Sequence, residues 1–288
     1  MAAWAPPASS NVCNENTVKP NSDPSFRGQR GISLNLSPGR LIKKLSCLAL
    51  LVVVFSLSAQ APTAVPIPKE PHHHLVLEND YVRVFRVSVP AHGATLLHQH
   101  DVPYLYISLG PADVINAVQG RPEARLVMAD GQLGYSPGHF AHIARTDAGS
   151  TFDNVTIELL HPQGEPQNLC AQVVPGFVAP CDRTIAFKGK GYAVVPQFET
   201  ADTKVSLIRL DPKAEHIGMS VDTCSLLVAL SESQVRVETK SKTAVILSAG
   251  EVKWIEADPE ISLSNPSNKH SSVLWLVFHL SGARSPCG

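Results

Sequence analysis

The chain has 288 residues, 44% of them apolar, with 24 Lys and Arg against 25 Asp and Glu, a length that suits two modules and a composition able to bury a sizeable core. The balanced charge excludes a basic surface for phosphate backbones, so nucleic acid is not an expected partner. Six cysteines are too few for a disulfide-built miniprotein, and 23 prolines do not suit a helical bundle.

Residues 1–39 are rich in Asn, Ser, Pro and Gly, which cannot offset the entropy of ordering them, and are expected to be disordered. Arg40, Lys43 and Lys44 then precede Leu45–Leu57, apolar apart from Ser46 and Ser56, and the small residues Ser58, Ala59 and Ala61 follow. This is the order of a secretory signal peptide over residues 40–61, and the run is shorter than the ~18–20 residues of a membrane span. An uncleaved anchor or a buried helix is the alternative, and the long stretch before it also raises the question of whether residues 1–39 are translated. Cys47 opens the apolar run instead of following it, which does not suit lipid attachment. Cleavage near Ala61 leaves 18 basic against 23 acidic residues, a secreted or periplasmic protein without stable membrane insertion. Cys170, Cys181, Cys224 and Cys287 remain, an even number compatible with disulfides; Cys170 and Cys181 could close a short loop, and four free buried thiols are the alternative.

Pro62, Pro66, Pro68 and Pro71 predict a stiff extended arm over residues 62–76, in place of a central strand. Its run His72-His73-His74 reads as a solubilising or adventitiously metal-capturing tract. From Tyr81 the texture changes to short β-branched and aromatic runs: Tyr81–Val89, Tyr104–Leu109, Asn154–His161, Val205–Leu210, Ser225–Leu230, Ser233–Glu238 and Ser272–Leu280. Turn signals such as Ala129-Asp130-Gly131 and Ser136-Pro137-Gly138 separate them, without a long helical period between, so an all-β sandwich or barrel is expected. An offset of 121 residues lays Val87–Leu109 on Ile208–Leu230, with Glu78 on Glu199, and an offset of 118 lays Asn154–His161 on Ser272–His279. Two copies of one β-domain, at residues 77–162 and 192–281 and joined by a linker over 163–191, account for this.

Nine of the 12 histidines precede residue 162. His98 and His100, at i and i+2, point to one face if they lie on a strand, and Gly131–His142 offers a third imidazole, His142, from a different strand. Such a set forms a three-nitrogen site with its opposite face open. His92 and His139 lie in turns, His161 ends a strand, and Asp101 is assigned to turn geometry.

At these residues the chain resembles the cupin family, whose first motif is Gly, five residues, His-x-His, three or four residues, Glu, six residues, Gly, and whose second is Gly, five residues, Pro-x-Gly, two residues, His, three residues, Asn. Gly93, His98, His100, Gly131, Pro137 and His142 fall on this pattern, with one residue fewer between Gly93 and His98. Tyr104 stands in place of the metal-binding Glu, the second-motif glycine is displaced to Gly138, and Thr146 holds the final Asn position. The resemblance implies two tandem cupin-type double-stranded β-helix (jelly-roll) barrels, the second degenerate: there His98 and His100 fall on Met219 and Val221, Tyr104 on Ser225 and His142 on Trp254.

Three neutral imidazoles leave a divalent ion its full charge, which favours a small anionic ligand at the open positions. Tyr104 is the candidate catalytic residue, a phenol placed to donate a hydrogen bond to that ligand. The expected cofactor is a divalent ion, Fe, Mn, Zn, Ni or Cu, held by His98, His100 and His142. Two readings stand: a metal-dependent dioxygenase or isomerase acting on a small anionic metabolite, and a non-catalytic periplasmic ligand-binding or structural protein. Exposed sheet edges are compatible with a homodimer.

Overall fold

The computed structural model describes residues 63–169, 172–173, 187–230, 233–241 and 243–279. The leader, the signal-like segment, Cys170, Cys181 and Cys287 lie outside the described residues. Among the described residues the only helical element is a 3-10 turn, Ile67–Lys69, and no helix there is long and apolar enough to cross a membrane.

The first barrel comprises β1 (Val65–Pro66), β2 (His73–Glu78), β3 (Val82–Val89), β4 (His98–His100), β5 (Tyr104–Ser108), β6 (Ala112–Val118), β7 (Ala124–Met128), β8 (Leu133–Ser136), β9 (Phe140–Arg145) and β10 (Phe152–Leu159). Three short strands follow, β11 (Asn168–Leu169), β12 (Gln172–Val173) and β13 (Phe187–Gly189). The second barrel comprises β14 (Tyr192–Glu199), β15 (Thr203–Leu210), β16 (Ile217–Val221), β17 (Ser225–Ala229), β18 (Gln234–Glu238), β19 (Ala244–Ser248), β20 (Val252–Ile255), β21 (Asp258–Ser264) and β22 (Ser271–Phe278).

Each barrel is two facing sheets. In the first they run β1-β4-β9-β6-β7 and β12-β8-β5-β10-β3-β2; in the second β11-β14-β15-β22-β17-β20 and β16-β21-β18-β19, with β13 added beside β14. The interleaved order is that of the expected jelly roll. Residues 65–78 do not project as an arm: β1 lies parallel to β4 and β2 antiparallel to β3, at the edges of the two sheets. Prolines are tolerated there because an edge strand leaves one row of N–H groups unpaired. The linker is likewise used in pairing, β12 with the first barrel and β11 and β13 with the second.

Strand alternation divides the apolar side chains into three clusters. Phe85, Val87, Tyr104, Tyr106 and Phe152 fill the first barrel, and Ile208, Leu227, Val235, Val237, Ile261 and Leu263 fill the second. The third cluster lies between the barrels, where Val84, Leu105, Ile107, Tyr135, Val155 and Ile157 meet Phe198, Leu226, Val228, Leu274, Leu276 and Phe278. The strands β5 and β17 are therefore buried on both faces and carry the apolar runs Tyr104–Ile107 and Leu226–Ala229. Ala59–Gly288 forms one compact unit.

Strand pairing sharpens the internal repeat. Asn154 stands opposite Val87 and Val273 opposite Ile208, so β10 and β22 are related by an offset of 119, in place of the 118 read from the sequence. One residue decides which face each side chain takes. Trp254 pairs with Leu226 as Tyr135 pairs with Leu105, which makes Trp254 the counterpart of Tyr135 and not of His142. His142 pairs with His98, and the counterpart of His98, Met219, pairs with Ile261. Ser136-Pro137-Gly138 and Ser248-Ala249-Gly250, whose likeness suggests the match of His142 to Trp254, lie in different turns, β8 to β9 and β19 to β20.

Candidate metal centre

His98 and His100 lie on β4 with Gln99 between them, and both imidazoles turn inward, each 1% exposed. The second motif brings β9 beside them. Gly138 has φ +72°, and a Cβ there would stand 2.1 Å from the carbonyl oxygen of Val102, so only glycine lets the chain cross at this point. Next to it the His139 N–H donates to the His100 carbonyl at 2.7 Å, and β9 then runs antiparallel to β4 with His142 opposite His98.

The three predicted imidazoles converge: ring centroids are 4.4 Å apart for His98 and His142, 5.1 Å for His98 and His100, and 5.2 Å for His100 and His142. His98 Nδ1 lies 2.9 Å from the Leu96 carbonyl, which fixes it as the protonated nitrogen, and His142 Nδ1 is held by Asn116 Oδ1. Each Nε2 is thereby left as a lone-pair donor, and both Nε2 atoms are buried without a hydrogen-bond partner. Buried polar atoms are almost always satisfied, and an ion accounts for a pair of inward-facing imidazole lone pairs. The residues present fit a metal.

His100 stacks on Tyr104, centroids 3.9 Å apart at 19°, and its Nδ1 lies 3.6 Å from Glu158 Oε1. Glu158, itself paired with Arg83 at 2.9 Å, has its pKa pushed up to about 7, chiefly by burial. Burial, then the proximity of other imidazoles, lowers His98 to about 4 and holds His100 and His142 well below the usual histidine range. All three are therefore neutral near neutral pH, the form a metal requires. The Tyr104 ring borders the cavity, its hydroxyl is within hydrogen-bond reach of Ser136, and burial raises its pKa, so the phenol stays protonated.

A fourth imidazole is present that the motifs do not contain. His73, on β2 opposite Val87, is 8% exposed, and its ring lies 4.7 Å from that of His98 and 6.3 Å from that of His100. Ring nitrogens of His73, His98 and His100 come within 4.8 Å of one another. Behind it sits Glu70, whose Oε2 is 2.6 Å from His73 Nδ1. Burial works to raise the Glu70 carboxyl, but hydrogen bonds from His73 and the Leu96 and His72 amides bring it down to about 2. The middle histidine of the presumed solubility tract thus faces the barrel interior, while His74 is exposed. Glu70, Asn116 and Glu158 were likewise not read from the sequence. The repeat held the signal: the offset that puts Glu78 on Glu199 also puts His73 on Val194, opposite Ile208 in the second barrel.

The rings border a cavity of about 50 Å³, which Val87, Leu126, Ala144 and Phe152 also line. In the second barrel the corresponding positions hold Val194, Met219, Val221, Val237 and Ile261 where the first has His73, His98, His100, Asn116 and His142. His92, Asp101 and His139 are exposed and outside the centre, and His161 packs on Tyr81. Thr146 is structural, its hydroxyl donating to the Asp113 carbonyl at 3.1 Å.

No family model and no curated protein matches the chain. Among solved structures it is similar to AerE from Microcystis aeruginosa, with TM-score 0.52 and 7% identity over 73% of this chain and 99% of that one. It is also similar to a candidate glyoxylate-induced protein from Pseudomonas aeruginosa, with TM-score 0.53 and 12% identity over 76% of this chain and 86% of that one. A cupin 2 conserved barrel domain protein from Leptotrichia buccalis is less similar, with TM-score 0.46 and 6% identity over 72% and 88%. At such identities the likeness is one of fold alone, a tandem β-barrel.

Proposed function

We propose that this tandem cupin-fold chain binds a divalent metal ion in its first barrel through His98, His100 and His142, and acts there on a small anionic metabolite as a dioxygenase or isomerase. The observation that carries the reading is the pair of buried, unpartnered Nε2 atoms of His98 and His142 facing one cavity. Bound there, a divalent ion would polarise a carboxylate or carbonyl oxygen as a Lewis acid. Tyr104, held protonated by burial, donates and does not ligate; Val87, Leu126 and Phe152 supply an apolar part of the lining. The small cavity favours a ligand of few atoms, and it equally supports a second reading in which the ion is structural or binds a ligand without turnover.

Export is part of the proposal. It is supported by the basic and apolar order of residues 40–61 and by Cys224, which is disulfide-bonded, a state that persists in oxidising compartments. The exposed edge of β2, with Leu75 and Val76 at 47% and 50% exposure, is compatible with pairing of two copies.

Elemental analysis of protein purified without a His tag tests the metal directly. One Fe, Mn, Zn, Ni or Cu ion per chain is expected, lost in the double variant His98→Ala/His142→Ala. Absence of metal together with no metal-dependent shift in Tm overturns the reading. Oxygen uptake or isomerisation with small carboxylates and dicarbonyls then separates the enzyme from the non-catalytic alternative.

A further inference from the structure

The imidazole at position 73 belongs to neither histidine motif and comes from the N-terminal edge of the barrel, yet it is built into the centre. Ile67, 2% exposed, anchors the 3-10 turn before it, and the His73 N–H donates to the Glu70 carbonyl at 3.1 Å. The Glu70 side chain is equally fixed: Oε1 accepts from the Leu96 N–H at 3.1 Å and Oε2 from the His72 N–H at 2.8 Å. A buried carboxylate that accepts these amides also accepts a hydrogen bond from the Nδ1–H of His73, so His73 presents Nε2 as a lone-pair donor on the side of His98. A carboxylate that orients an imidazole and raises its basicity is a recurrent support of metal-bound histidine. The same stretch reaches His98, because Leu96 donates its N–H to Glu70 and offers its carbonyl to His98 Nδ1. One hydrogen-bonded unit thus sets the tautomers of two rings 4.7 Å apart.

We propose that His73 is a fourth imidazole ligand of the metal ion and that Glu70 is its positioning residue, so that β2 completes a centre whose other ligands lie on β4 and β9. The proposal rests on metal binding at His98, His100 and His142. It makes the first barrel a four-nitrogen centre whose adjoining carboxylates, Glu70 beside His73 and Glu158 beside His100, stand behind ligands instead of on the ion. It also accounts for the absence of a carboxylate at Tyr104: the fourth protein ligand comes from another strand.

Cobalt(II) added to the metal-free full chain is the probe, read by visible absorption, by competition with a chelator and by proton NMR in water. Wild type should bind one ion and show four hyperfine-shifted exchangeable imidazole N–H signals. His73→Ala should still bind one ion, with affinity lower by ~10–100-fold, an altered absorption spectrum and three such signals. Glu70→Gln should weaken binding in the same direction without changing the stoichiometry, and exposed His74→Ala should match wild type. Failure of wild type to bind cobalt(II) removes the metal reading itself. Binding that His98→Ala abolishes but His73→Ala leaves unchanged in affinity and spectrum overturns the fourth ligand alone. Should His73→Ala not fold, the wild-type signal count decides: four supports the proposal and three overturns it.

Discussion

Gly134 lies where a Cβ would meet the Tyr106 ring at 1.9 Å, so the space beside the centre depends on a missing side chain. Gly134→Ala should displace Tyr106 and destabilise the protein by ~1–3 kcal/mol in urea unfolding, the usual cost of overpacking. Asn116→Leu removes the acceptor that fixes the His142 tautomer, and metal affinity should fall by ~10–100-fold with the strands retained, as chelator competition would show. The buried ionisable groups set the pH response of the metal-free protein. His98, depressed to about 4, contributes stability that is full above its ordinary 6.5 and lost as the pH falls through about 4; His100 and His142 act in the same direction. Glu158, raised to about 7, acts oppositely: its contribution is full below 4.5 and lost as the pH rises through 7. Three imidazoles outweigh one carboxyl, so the urea midpoint should rise between pH 4 and 6.5, and Glu158→Gln should steepen that rise. A midpoint that falls over this range would contradict the assignment of three neutral buried rings.

At the scale of elements, much was legible. The runs Tyr81–Val89, Tyr104–Leu109 and Ser225–Leu230 are strands because β-branched and aromatic residues fit a pleated, buried surface. The offset of 121 between the copies holds from His73 and Val194 to Asn116 and Val237. His98, His100 and His142 were readable because strand spacing and motif coincide. What was not legible has specific causes. β2 was hidden by the prolines before it, which signal an extended chain without saying what it lies against. Two-residue strands such as β1 and β11 carry no periodicity at all. The match of Trp254 to His142 arose where two turns of similar chemistry occupy different places in the barrels. Residues that reach the centre from a distant edge, as Glu70 and His73 do, are set by pairing and not by local spacing.

For the whole molecule, the decisive fact is the apolar layer between the barrels, which neither half can cover alone. Leu226, fully buried in the second barrel, faces the first across that layer. Leu226→Ala should cost ~2–5 kcal/mol, and because the layer is shared, the loss of tertiary structure around the histidines should shift by the same amount. Calorimetry should show one transition for the wild-type chain and for the variant; two well-separated transitions would mean that the barrels are independent. Cys224, which is disulfide-bonded, places its buried side chain in this layer.

The paired positions also make the molecule its own reference. Where one half holds His73, His98, His100, Asn116 and His142, the other holds Val194, Met219, Val221, Val237 and Ile261, apolar throughout. The second half therefore records the interior that this backbone selects when it need only fold. Transplanting those five apolar residues into the first half should give a protein that no longer responds to metal yet melts above the wild-type apoprotein, since buried unsatisfied imidazole nitrogens cost ~1–3 kcal/mol each. The difference between the two melting curves would measure, within a single chain, the folding stability that the first half forgoes to keep its histidines ready.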